Sequence, residues 1–100
     1  MMNQEDRLNI VKTSWQLHDK VEAAYLSHPA KRDDDQWLEK QRILLADMAL
    51  HLLQTSVKPG EIELTRLRDN LHAILTISNQ FLPGADLIKA TEKLYVNNIV

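Results

Sequence analysis

All three prolines and both glycines of this 100-residue chain fall in three short breaks, and everything between the breaks repeats its apolar residues at helical spacing. The first break is Ser27-His28-Pro29, continuing through Lys31-Arg32-Asp33. The second is Ser56-Val57-Lys58-Pro59-Gly60, and the third is Pro83-Gly84. Proline lacks the N–H that a helix interior needs, and glycine is entropically costly there, so both punctuate helices. Their scarcity elsewhere disfavours a turn-rich β fold. Alternation with a period of two never persists over five residues. The pattern predicts an all-α fold, a small antiparallel helical bundle of three to four helices in one domain over residues 1–100.

Four segments follow from the breaks. The first, residues 4–27, starts after Asn3, a good cap, with Glu5 and Asp6 in the first turn where acids suit the helix dipole. The second, residues 34–55, follows three consecutive aspartates, and Asp33 with Gln36 fits a capping box. It is apolar over most of its circumference, with Gln36, Lys40, Asp47, His51 and Gln54 as a narrow polar strip, and reads as the central helix. The third, residues 59–82, has Pro59 at its first position and a stripe of Leu64, Leu67, Leu71, Ile74, Leu75 and Leu82. The fourth, residues 85–97, offers Leu87, Ile88, Thr91, Leu94 and Tyr95. Leu45 and Leu71 are candidate core residues.

The first segment carries two apolar stripes. Leu8, Val11 and Trp15 form one; Ile10, Leu17, Val21 and Ala24 form the other, with Tyr25 between them. A surface helix needs a single stripe, so two imply two packing partners. The chain therefore predicts more apolar surface than one bundle hides, and self-association as a homodimer. Trp and Tyr dominate binding energy at interfaces. The interface candidates are Leu8, Val11, Trp15, Tyr25 and Trp37.

The residue inventory excludes much chemistry. Without cysteine there is no disulfide, thiolate–zinc site or thiol catalysis. Two glycines cannot build a phosphate-binding loop, and no strand exists to carry a nucleophile elbow. His18 and Glu22, Asp47 and His51, and Asp69 and His72 stand three or four residues apart. Their placement on polar faces reads as surface ion pairing, with no metal and no cofactor expected. No catalytic residue is assigned. The start of the chain has no apolar run like that of a signal peptide. The densest apolar stretch, residues 43–53, is too short and too polar to span a bilayer. A cytoplasmic, membrane-free protein is expected.

A net charge of −2 gives no basic field for phosphate. Lys31-Arg32, Arg66 and Arg68 read as solvated surface. A helix-turn-helix at Lys58-Pro59-Gly60 would offer Arg66, Arg68, Asn70 and Asn79 to bases, against Glu61, Glu63 and Asp69. Nucleic acid is not the expected partner.

Asp19-Lys20 with Ala23, Ala24 and Tyr25, then Leu38-Glu39 followed by Leu45 and Leu52, Leu71-His72 with Leu75, and Asp86-Leu87-Ile88-Lys89 with Leu94 resemble the small enterobacterial biofilm and acid-resistance regulators of the AriR/YmgB type. That resemblance spans most of residues 19–95. It implies a bacterial helical homodimer that regulates through protein contacts, and it supplies no catalytic residue. Together these readings predict a non-enzymatic regulatory or adaptor protein with a protein partner. The alternatives are a DNA-binding transcription regulator, or a phage- or plasmid-type inhibitor or chaperone of a host protein.

Overall fold

In a computed structural model that describes residues 2–96, the chain forms α1 (Gln4–Ser27), α2 (Trp37–Val57), α3 (Leu64–Ser78) and α4 (Leu87–Leu94). A single 3-10 turn, Pro83–Ala85, precedes α4. No strand occurs among the described residues. Segments three and four are thus separate helices. The expected end of the fourth, at Asn97, lies outside the described residues.

Helix starts follow local hydrogen bonding. Asn3 caps α1: its Oδ1 accepts from the Asp6 N–H at 2.8 Å, and the Asp6 carboxylate accepts from the Asn3 N–H at 3.4 Å. The capping box expected at Asp33 and Gln36 does not form, and α2 begins three residues later than predicted. Asp34 instead closes a turn with Lys31, through backbone at 2.9 Å and side chain at 2.8 Å. Such local bonds compete with helix initiation. Pro59 does not start α3 either. Gly60 takes φ +93°, outside any helix, and α3 begins only at Leu64, after Glu63. The Asn79 carboxamide accepts from the Leu87 N–H at 2.9 Å and supplies the start of α4.

Each helix packs on its chain neighbour, α1 on α2, α2 on α3 and α3 on α4. The Arg7 guanidinium reaches the Val57 carbonyl at 3.2 Å, while Lys40 lies over the Tyr25 ring, so α1 and α2 run in opposite senses. Thr55 meets Asn70, and Gln41 meets Gln80, so α3 turns back along α2. The array measures 45 × 35 × 19 Å. A helix with side chains is about 10–12 Å across, so the sheet of helices is less than two helices thick. Its radius of gyration is 15.4 Å, against about 13 Å for a compact domain of this length.

A flat array shelters little. Among the described residues the buried apolar side chains are Ala30 and Ile77, while Ser14, His18, Gln41, Asp47 and Thr91 are buried polar ones. Leu45 and Leu71, candidate core residues, are only half-buried. No described helix is long and apolar enough to cross a membrane.

Candidate functional site

The seam between α1 and α2 is polar, contrary to the sequence reading. Arg7, Val11, Ser14, His18, Val21 and Tyr25 recur at alternating intervals of four and three, and every one is buried or half-buried. Val11 and Val21 are the inner members of the two apolar stripes, and the rest of the stripes flank the seam on either side. On α2 the strip expected to face water turns inward: Asp47 is buried, and Lys40, His51 and Gln54 are half-buried. The physical reason is the position of α2. Its neighbours occupy two sides, and the side toward α1 is the one carrying the polar strip. Leu38 and Leu53, on its apolar circumference, remain exposed.

Midway along this seam His18, Asp47 and His51 converge. Nδ1 of His18 lies 2.5 Å from Oδ1 of Asp47, and Nε2 of His51 lies 3.7 Å from Oδ2 of the same carboxylate. The ring centroids of the two histidines are 4.8 Å apart. Trp15 meets both edge-on, at 5.0 Å from His18 and 5.8 Å from His51. The outward nitrogens are also held. Nε2 of His18 is 3.2 Å from a Glu22 carboxylate oxygen, and Nδ1 of His51 is 3.1 Å from Oε1 of Gln54. Hydrogen bonding to Asp47 raises the His18 pKa above its ordinary 6.5. Burial opposes the rise, and the charges of Asp47, Glu22 and Asp19 add to it.

The pairs His18/Glu22 and Asp47/His51 were each legible as helix neighbours, but not as one cluster. The assignment of His18 and Asp47 to solvated polar faces is corrected, since they are 8% and 5% exposed; Glu22 is exposed and His51 half-buried. Ser14 and His18 at i and i+4, framed by Arg7, Val11, Val21 and Tyr25, carried the signal of a polar seam.

Beside the cluster a groove of about 700 Å³ opens between α1, the end of α2 and α3. Leu8, Val11 and Trp15 line one wall; His51, Gln54 and Thr55 form its floor; Arg66, Asp69 and Asn70 stand opposite. Gln54 Nε2 is buried there without a hydrogen-bond partner. Three of the five interface candidates thus share one surface. Leu8 and Trp15 are 55% and 46% exposed on it.

The other two candidates are placed elsewhere. Tyr25 is half-buried beneath Lys40, whose Nζ is 4.9 Å from the ring centre. Trp37 donates from Nε1 to Oε1 of Gln80 at 2.9 Å, and Gln80 donates on to the buried Gln41 at 2.9 Å. This chain ties the start of α2 to the turn after α3. Both aromatics serve contacts within the chain.

The residues of the helix-turn-helix alternative are likewise engaged internally. Arg66 pairs with Glu63 at 2.5 Å, and the Arg68 guanidinium stacks on Tyr95 at 4.5 Å. Asn70 accepts from Thr55, and Asn79 caps α4. Glu63, clamped by Lys58 at 2.7 Å and by Arg66, has its pKa lowered below 4.5. The Tyr95 hydroxyl donates to Asp69 at 2.9 Å, which raises its pKa above 10.

Comparison with known proteins finds no family model that matches this chain, and no similar curated protein or solved structure.

Proposed function

We propose that this chain is a non-enzymatic regulatory or adaptor module that acts through helix-mediated protein contacts, and that its working form is a homodimer covering the apolar face of α1. The observation that carries the reading is the mismatch between surface and size. The chain exposes 7206 Å², whereas a compact monomer of 11.6 kDa exposes about 5,800 Å². The surplus is roughly 1,400 Å² per chain. Shared between two copies, it corresponds to an interface of about 2,800 Å² in total, within the range of obligate dimers.

The composition of that surface supports the same reading. Leu8, Trp15 and Leu17 lie exposed along α1. Ile10 and Leu17 line a second depression with Leu53, across the α1–α2 seam from the groove of Leu8, Val11 and Trp15. A second copy is the occupant whose chemistry matches, because an isologous contact sets an apolar face against its own duplicate. Without such cover a chain with two buried apolar side chains among its described residues has little to oppose its conformational entropy. The resemblance to biofilm and acid-resistance regulators points the same way.

Sedimentation equilibrium of the full chain across the micromolar range tests the proposal. The expected result is a dimer at tens of micromolar, with dissociation on dilution accompanied by loss of helicity. A folded, strictly monomeric species at that concentration refutes it.

A further inference from the structure

We propose that His18, Asp47 and His51 form a binding site for one divalent transition-metal ion of the zinc class, linking α1 to α2 at mid-length. One donor atom from each residue lies within 4.8 Å of the other two. Imidazole nitrogen binds zinc at about 2.0–2.1 Å and carboxylate oxygen at about 2.0–2.2 Å, which sets donors on one tetrahedral ion a little over 3 Å apart. The separations of 2.5 Å and 3.7 Å to the two Asp47 oxygens bracket that value. Two histidines and one carboxylate are a frequent donor set for catalytic zinc and for non-haem iron. His51 also lines the adjoining groove, which gives solvent or a further ligand a route to the cluster.

The outward hydrogen bonds argue for an ion independently of that proximity. The Glu22 carboxylate beside Nε2 of His18 accepts only, so the Nε2-protonated tautomer donates to it and leaves Nδ1 free to ligate. Oε1 of Gln54 beside Nδ1 of His51 also accepts only, and the Nδ1-protonated tautomer of that ring donates to it and leaves Nε2 free. Each neutral ring then turns a lone pair toward the Asp47 carboxylate, itself an acceptor. In those tautomers three acceptors face one another, two of them buried and one half-buried, and a cation among them, metal ion or proton, satisfies all three. Ligating histidines characteristically hold their second nitrogen against a carboxylate or carbonyl in this way, which fixes tautomer and ring orientation. Trp15, edge-on to both rings, limits their rotation further. A proton on His18 is the competing occupant, and the experiment separates the two.

The proposal does not rest on dimerisation, and it holds or falls with the following test. Chelator-treated full-length protein is titrated with zinc chloride by calorimetry at neutral pH, and histidine ring signals are followed by NMR. One equivalent of zinc is expected to bind per chain. At a hundredfold excess over Kd the thermal midpoint should rise by roughly 10–20 °C. The ring signals of His18 and His51 should shift, and those of His28 and His72 should not. His51→Gln, at a half-exposed position, should abolish stoichiometric binding while circular dichroism shows the helices retained; His72→Gln should bind as the natural chain does. Absence of zinc binding by the folded natural chain overturns the proposal. So does binding that survives in folded His51→Gln, or NMR shifts confined to other histidines.

Discussion

Replacing Asp47 in metal-free protein removes the one buried anion of the α1–α2 seam, and its cost follows from burial and geometry. The Asp47 and His18 side chains are 7% and 11% exposed, well below the level at which solvent screens a pair to insignificance. At an effective dielectric constant near 20, opposite charges about 4 Å apart attract by about 4 kcal/mol. Desolvation cancels much of that in the intact pair, but a deletion leaves His18 without its partner. Asp47→Ala should therefore cost about 3–5 kcal/mol, a large part of the roughly 5–15 kcal/mol available to a domain. Asp47→Asn keeps shape and an acceptor but loses the charge. The difference between charged and neutral hydrogen bonds sets its cost at about 1–2 kcal/mol. The pH dependence fixes the cause. His18 has a raised folded-state pKa, so its contribution is fully present below the unfolded value near 6.5 and is lost as pH rises through the folded value. Asp47 and His51 face it from α2, and Glu22 and Asp19 from its own helix. Urea titrations in chelator, at one pH below 6.5 and one above the raised folded value, followed by circular dichroism, should show the natural chain losing this contribution as pH rises, and Asp47→Asn losing less. A cost below 1 kcal/mol for Asp47→Ala, or an identical gap between the natural chain and Asp47→Asn at both pH values, refutes the reasoning.

Other perturbations report on separate parts of the array. Ile77→Ala removes one of the two buried apolar side chains among the described residues and should lower urea-measured stability by about 2–5 kcal/mol, more than the same truncation at half-buried Leu45. Gly60→Ala meets no atom within 4 Å, so its cost reflects backbone strain alone; at φ +93° it should be roughly 1–2 kcal/mol by the same assay. Gln54→Ala withdraws the acceptor from the His51 ring and should weaken zinc binding roughly 10- to 100-fold by calorimetry.

Periodicity made the helices legible, but which side of each helix was inside was less so. Asn3 capped α1 as its neighbours Glu5 and Asp6 suggested, because a cap is decided within one turn. Asp33 failed for the converse reason. Three aspartates beside Lys31 offer the backbone a turn as well as a helix start, and the turn formed. The larger error concerned α2. An apolar circumference implies burial only when enough chain surrounds the helix, and here two neighbours leave Leu38 and Leu53 exposed while Asp47 turns inward. Spacing in one helix cannot show that His18 meets Asp47, twenty-nine residues away. That contact depends on the register of α1 against α2. The surplus of apolar surface was legible because it is a property of the whole sequence, whatever the register. Leu8, Val11 and Trp15 share a groove, as their common stripe implied.

Trp15 belongs to both proposals, and this makes their energetic relation measurable. Its ring packs on His18 and His51, yet 46% of the residue is exposed on the groove side. A second copy seated there excludes water from the open side of the cluster, and electrostatic attraction strengthens as the local dielectric falls. Zinc should then bind the dimer more tightly than the monomer, and by linkage zinc must strengthen dimerisation by the same factor. Trp15→Ala separates the two effects. It removes a large apolar anchor while leaving the His18, Asp47 and His51 donors in place. Dimerisation should weaken by at least tenfold in sedimentation equilibrium, consistent with the loss of more than about 1.4 kcal/mol at an aromatic hot spot. Zinc should still bind the resulting monomer at one equivalent, with lower affinity. Equal zinc affinity in monomer and dimer would show that the covered face and the polar seam are energetically independent, and the shared role given to Trp15 would then be wrong.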